Sequence, residues 1–189
     1  SSACLTGMLT KIIQLDQQLS QSLRKDDGQS PWWQAITFIA HSGDSWFWVF
    51  GLAVFWLFLP AARWLTAFTI FAIVVVAALV MAIKFSVRRA RPQGDWGTVY
   101  RSTDPHSFPS GHAARCIMLA VLALHFFSLS FGLFILVWAV LVCLSRVATG
   151  MHYVSDVLAG AILGFFSALA LLAIQPWLMS ILPFFFKPA

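Results

Sequence analysis

Glutamate is missing from this chain, and charge of either sign is scarce. Seven aspartates and 12 lysines plus arginines make up 10% of the 189 residues, where a soluble domain carries about 25% charged side chains. With 60% of the residues hydrophobic, the composition excludes an ordinary soluble globule and is that of a membrane protein. Cysteine is equally sparse. Cys4, Cys116 and Cys143 are odd in number and lack metal-ligand spacing, so no disulfide framework, zinc site or other cofactor is expected; they read as small buried hydrophobes. No basic run is interleaved with exposed aromatics, which argues against nucleic acid, and the formal charge of +5 fits anionic lipid or phosphate partners instead. The start lacks the basic, apolar and small-residue zones of a signal peptide, and Ser1 in place of Met reads as a tagged or trimmed N-terminus.

What is abundant is apolar sequence in long runs. At this length one compact bundle is expected, divided into an amphipathic N-terminal segment over 1–44 and a transmembrane domain over 45–189. Leu9, Ile12, Ile13, Leu15, Leu19 and Leu23 are mixed with Lys11, Asp16, Gln17, Gln18 and Arg24, which predicts an amphipathic helix at the membrane surface. Residues 26–31, Asp-Asp-Gly-Gln-Ser-Pro, break it, and Trp32 and Trp33 open a second, short interfacial helix. Five segments then approach the ~20 apolar residues of a spanning helix: 46–59, 63–85, 111–127, 131–148 and 153–177. The first is short and bounded by Pro60, and only 128–132 divides the third from the fourth. The expected fold is therefore an all-α integral membrane bundle of five spans, with six as the alternative count.

Ionisable residues inside or at the edge of spans are costly and are functional candidates by default. Threading five spans back and forth puts Lys84, Arg91, His112, Arg146, His152 and Asp156 on one face. Lys84 and Arg91 close the second span, and a helix continuing to Pro92 would set both cations on one side. Lys as a point charge and Arg as a planar fork suit a phosphate, although cations at a helix end also snorkel to the interface. Pro109-Ser110-Gly111-His112 opens the third span, where unpaired backbone N–H groups bind anions, Gly111 allows close approach and His112 adds a proton donor. At the start of the fifth span His152 and Asp156 are four apart, so one helical face brings carboxylate to imidazole, fixing the tautomer and leaving one nitrogen free to attack. Arg146 supplies a further cation.

In order, these groups read Lys84, six residues, Arg91-Pro92; Pro109-Ser110-Gly111-His112; and Ser145-Arg146, five residues, His152, three residues, Asp156. The pattern resembles that of the type 2 phosphatidic acid phosphatase superfamily, the lipid phosphate phosphatases. The resemblance implies a helical membrane bundle and metal-independent phosphoester hydrolysis. It implies His152 as the nucleophile that takes the phosphoryl group, Asp156 as its orienting partner and His112 as the acid to the leaving oxygen. Lys84, Arg91, Ser110, Gly111 and Arg146 become the phosphate cradle. Many bacterial members have six spans with the extra one ahead of the motifs, where this sequence reads as five and a surface helix. His106 lies outside the pattern.

A site at the mouth of a bundle favours a substrate whose tail lies in lipid: phosphatidic acid, phosphatidylglycerol phosphate, an isoprenyl diphosphate or a lipid A phosphate. Arg88, Arg89, Arg101 and Arg115 are either contacts for a second phosphate or headgroup, or plain surface cations. Counting lysines and arginines over the loops puts the site in the cytoplasm, while the resemblance favours the periplasmic or extracellular face of a bacterial inner membrane. Two rivals remain: a phosphotransferase that passes the group to another lipid's hydroxyl, and a non-catalytic binder or transporter of anionic lipid. Soluble haloperoxidases with a similar anion cradle do not fit five apolar spans.

Overall fold

Helix starts are set by polar residues placed ahead of apolar runs. The computed structural model describes residues 2–24, 30–92 and 104–182. Helix α1 is Ser2–Leu23 and α2 is Pro31–Ser42. The Ser30 side chain accepts from the Trp33 N–H at 3.2 Å, with Pro31 in the first turn, a cap that satisfies a donor the helix leaves open. After α3 (Ser45–Phe58) the 3-10 turn Pro60–Ala62 leads into α4 (Arg63–Val87). Ser110 caps α5 (Gly111–Phe126) through the Ala113 N–H, and Ser128 caps α6 (Leu129–Ala148) through the Phe131 N–H, both at 3.4 Å. Helix α7 is Val154–Ile181. Among the described residues the sole β feature is an isolated antiparallel bridge, Ala90 to His106. The all-helical expectation holds.

One helix end differs from expectation. α4 stops at Val87, not at Pro92, because Arg88 adopts a left-handed conformation with φ 54°, which turns the chain out of the helix. Lys84 and Arg91 therefore do not share a helical face. The chain folds back through Ala90, and the two cations meet by another route.

Three of the five expected spans are long and apolar enough to cross a membrane: Pro60–Val87, α6 and α7, of 28, 20 and 28 residues. The remaining two, α3 and α5, have 14 and 16 residues, about 21 and 24 Å at 1.5 Å per residue, against about 30 Å of hydrocarbon. The outward surface is apolar all round, with Trp46, Phe50, Phe58, Phe134, Val137 and Phe166 exposed, the reverse of a water-facing bundle.

The core joins α4, α5 and α7 through Phe68, Ile73, Val76, Met118, Leu122 and Leu171. Helix α5 lies against α7 with Gly160 and Gly164 at the contact. A Cβ on either would meet the backbone oxygen of Ser110 or Ala114, so small residues four apart let the backbones close up, as in membrane helix pairs. That approach carries the Pro-Ser-Gly-His turn onto the start of α7. Cys116 and Cys143 are buried free thiols, as expected.

Candidate active site

The 149–152 turn is built to deliver His152. Gly150 takes φ +68°, a conformation that side chains with a Cβ resist, and the N–H groups of Met151 and His152 both donate to the Arg146 carbonyl, at 3.1 and 3.2 Å. The imidazole is 2% exposed. Its Nε2 lies 3.3 Å from Arg91 Nη1. A guanidinium can only donate, so Nε2 is an acceptor and the ring proton sits on Nδ1, toward Asp156 Oδ2 at 3.7 Å. That separation is an ion-pair distance, beyond hydrogen-bond range. Burial, reinforced by Arg146 and Arg91 and opposed by Asp156, pushes the imidazole down to about 4. His152 is thus neutral near pH 7 with its Nε2 lone pair turned to a cation.

Asp156 is fully buried and held from several sides. Oδ1 accepts from Arg89 Nη1 at 2.7 Å and Oδ2 from the Tyr153 N–H at 2.9 Å, while its carbonyl accepts from the Ser110 N–H at 2.9 Å. Arg89 also binds Asp16 of α1 at 2.7 Å and lies 4.1 Å from the Tyr153 ring centre. Asp16 and Ser20 in turn accept from the N–H groups of Ser155 and Val154, both at 3.0 Å. Helix α1 therefore caps α7 together with the local Asp156. Its Ile12, Leu15 and Leu19 stay exposed, the amphipathic division expected of it.

Lys84 and Arg91, 3% and 7% exposed, converge on Asp104. The Lys84 ammonium binds the Asp104 carboxylate and donates to the His106 carbonyl at 2.8 Å. Arg91 donates from Nε to the Asp104 carbonyl and from Nη2 to its carboxylate, each at 2.8 Å, and from Nη1 to the Met151 carbonyl at 3.0 Å. A carboxylate thus lies across two of the cations expected for phosphate.

On the opposite side His112 Nε2 is 2.7 Å from Asp44 Oδ1, in the turn between α2 and α3. Asp44 Oδ2 lies 3.4 Å from His41 Nδ1. Burial raises the Asp44 carboxyl, but the His112 hydrogen bond and the two histidines outweigh it, leaving Asp44 below its ordinary value. Ser110 and Arg146 are buried, and Arg146 Nη1 donates to the Ala40 carbonyl at 3.2 Å.

The described structure therefore brings the eight candidate residues to one end of the bundle, at and just beyond the end of α4, the start of α5, the end of α6 and the start of α7. Two of the four uncommitted arginines are engaged internally: Arg89 on Asp156, and Arg115 on the Gly43 carbonyl at 2.9 Å. Arg88 is exposed, and Arg101 lies outside the described residues, as does the 26–29 stretch of the expected break. Sequence reasoning missed Asp16, Asp44 and Asp104 as partners. Their only signal was that acids are so few in an apolar chain. A cavity of about 350 Å³, lined by Gln17, Gln21, Arg24, Pro92, Gly150, His152 and Tyr153, leads to the nucleophile candidate. A largely apolar cavity of about 390 Å³, between Leu52, Phe55, Leu65 and Phe126, contains no candidate residue.

Residues 67–180 match the model of the PAP2 superfamily. A protein described as "Probable lipid phosphate phosphatase beta" from Arabidopsis thaliana is 33% identical over 117 residues, 46% of this chain and 54% of that protein. The chain thus matches about half of that relative's length. A crystal structure titled as the first transmembrane PAP2 type phosphatidylglycerolphosphate phosphatase, from Bacillus subtilis, has a TM-score of 0.73 at 23% identity, covering 88% of this chain and 87% of that one. The crystal structure of Aquifex aeolicus LpxE has a TM-score of 0.64 at 22% identity, covering 82% and 93%. The structures are alike in fold; the family match spans more than half of the chain and takes in every motif residue from Lys84 to Asp156, and this chain belongs to the PAP2 superfamily.

Proposed function

We propose that the chain is an integral membrane lipid phosphate phosphatase working through a phosphohistidine on His152, without a metal ion. The observation that carries this reading is the 3.3 Å contact of Arg91 Nη1 with His152 Nε2. The cation suited to a phosphate oxygen sits beside the nitrogen that would attack phosphorus, and that nitrogen is unprotonated, its lone pair turned to the guanidinium the phosphate would engage.

Phosphoryl transfer depends mainly on positioning and on charge stabilisation. Lys84, Arg91, Arg146 and the N–H groups at the start of α5, with Ser110 and Gly111, surround the phosphate. Nε2 of His152 forms a bond to phosphorus as the bond to the lipid oxygen breaks, and His112 gives its proton to that oxygen. Asp156 steadies the ring through Nδ1. Water then attacks phosphorus, His112 takes its proton, and the P–N bond breaks to release phosphate.

The substrate class is a phosphomonoester or diphosphate whose tail stays in lipid, among phosphatidic acid, phosphatidylglycerol phosphate, isoprenyl diphosphate and lipid A phosphate. The polar cavity at His152 supports this: it suits a headgroup, while the surface around the helices is apolar. We take α3 to α7 as five spans, the two shorter ones accommodated by local thinning, with α1 and α2 at the interface and the site on the outer face of the membrane. In purified protein, phosphate release from these lipids should persist in EDTA and vanish in His152→Ala. Full activity in that variant, or loss of wild-type activity on chelation, contradicts the reading. With a second lipid alcohol present, free phosphate as the sole phosphorus product argues for hydrolysis over transfer.

A further inference from the structure

Under the phosphatase reading His112 must carry a proton. Two cations stand near it, Arg115 on its own helix and Arg146 on α6, so an imidazolium there needs a carboxylate to offset like charge. The Cys116 thiol borders the same turn, and the His152–Asp156 pair lies on the α7 side. From the turn between α2 and α3 come Asp44 and, behind it, His41.

We infer that Asp44 is a positioning residue for the reaction, holding His112 by Nε2 in its protonated form; this rests on the phosphatase reading above. Asp44 stands at the N-cap of α3, where an aspartate ordinarily accepts from the helix's own N–H groups. Here its side chain makes no such bond and is directed to His112 instead. The turn is clamped so that it cannot drift. The Gly43 carbonyl accepts from Arg115 Nε at 2.9 Å, Trp48 Nε1 donates to the Ser42 carbonyl at 3.0 Å, and Trp138 Nε1 donates to Ser42 Oγ at 2.9 Å. Asp44 also lies outside the residues of the family match, 67–180.

The chemistry follows from which nitrogen is taken. With Nε2–H donated to Asp44, the proton that moves is on Nδ1. It passes to the lipid oxygen as the P–O bond breaks, and Nδ1 regains one from water when the phosphohistidine is hydrolysed. Asp44 stays ionised throughout, and its charge offsets the two arginines while the imidazolium exists.

The test uses the full chain in detergent and two substrates that differ in their need for an acid. An alkoxide leaving from phosphatidic acid requires a proton, whereas 4-nitrophenolate leaves as a stable anion. Asp44→Asn should slow phosphohistidine formation from phosphatidic acid about 100-fold and from 4-nitrophenyl phosphate by no more than about threefold. The alkaline limb of kcat/KM on phosphatidic acid should move to lower pH. Asp44→Glu, which keeps the charge, should recover part of the rate and the original limb. Equal losses on both substrates, as a folding defect would give, or no loss on either, overturn the inference alone. A wild-type chain inactive on both overturns the phosphatase reading and the inference with it.

Discussion

His152 and His112 are each paired with an aspartate, and the two pairs are built differently. Asp156 gives its oxygens to Arg89 and the Tyr153 N–H and stands 3.7 Å from His152. Asp44 caps no N–H of its own helix, has His41 at 3.4 Å and stands 2.7 Å from His112. A carboxylate whose charge is already answered by a guanidinium does little to hold a proton on its neighbour, and burial then keeps His152 neutral. A carboxylate in direct contact with an imidazole can offset the charge of a proton held there. The two pairs thus differ in geometry, as the proposed division between a nucleophile and an acid requires.

The strongest way to break this comparison is to remove the proposed nucleophile. His152→Ala should lower phosphate release about 10⁴-fold or more and abolish acid-labile labelling, while an intact fold is checked by thermal unfolding in detergent. Asp156→Asn is expected to cost less, about 100-fold in kcat, because the carboxylate only steadies the ring. A loss as large as that of His152→Ala would mean that Asp156 takes part more directly. Arg89→Gln removes the guanidinium from Asp156 and leaves it to His152 and the Tyr153 N–H, bringing the first pair closer to the second. Its kcat should fall about 10-fold, and the acid limb of the pH profile should rise.

In the wild type that limb should lie near pH 4, not 6.5, since His152 is held at about 4. The sign follows from the depressed value: activity, and the stability contributed by the buried neutral ring, are present above about 6.5 and are lost as pH falls through about 4. A limb near 6.5 in the kcat/KM profile would contradict the burial argument. The smallest expected effect is at Asp104. Asp104→Asn removes the carboxylate lying across Lys84 and Arg91, so vanadate should bind about three- to fivefold more tightly; weaker binding would show that Asp104 orients those cations instead of competing with the anion.

Much of the site was legible because it is local. The Pro-Ser-Gly-His stretch is a helix start, and the four-residue step from His152 to Asp156 is a helical face whatever surrounds it. The helices themselves follow from apolar runs between caps and prolines. Spacing misled at Lys84 and Arg91, where seven residues looked like two turns of one helix. The left-handed turn at Arg88 ends α4 early, and the cations meet through Asp104. Asp16 read only as part of the polar face of α1, and Asp44 and Asp104 carried no periodic signal, since an aspartate in a loop reads as a turn or a cap until its partner is known.

By itself, then, the sequence determined which residues make up the candidate site and which elements bear them, because local spacing and apolar patterning act over a few residues. How each histidine is paired was decided only by the tertiary structure. It depends on which side chain reaches which carboxylate across the bundle, as Arg89 reaches Asp156 and His112 reaches Asp44, and long-range contacts of that kind have no trace in local sequence.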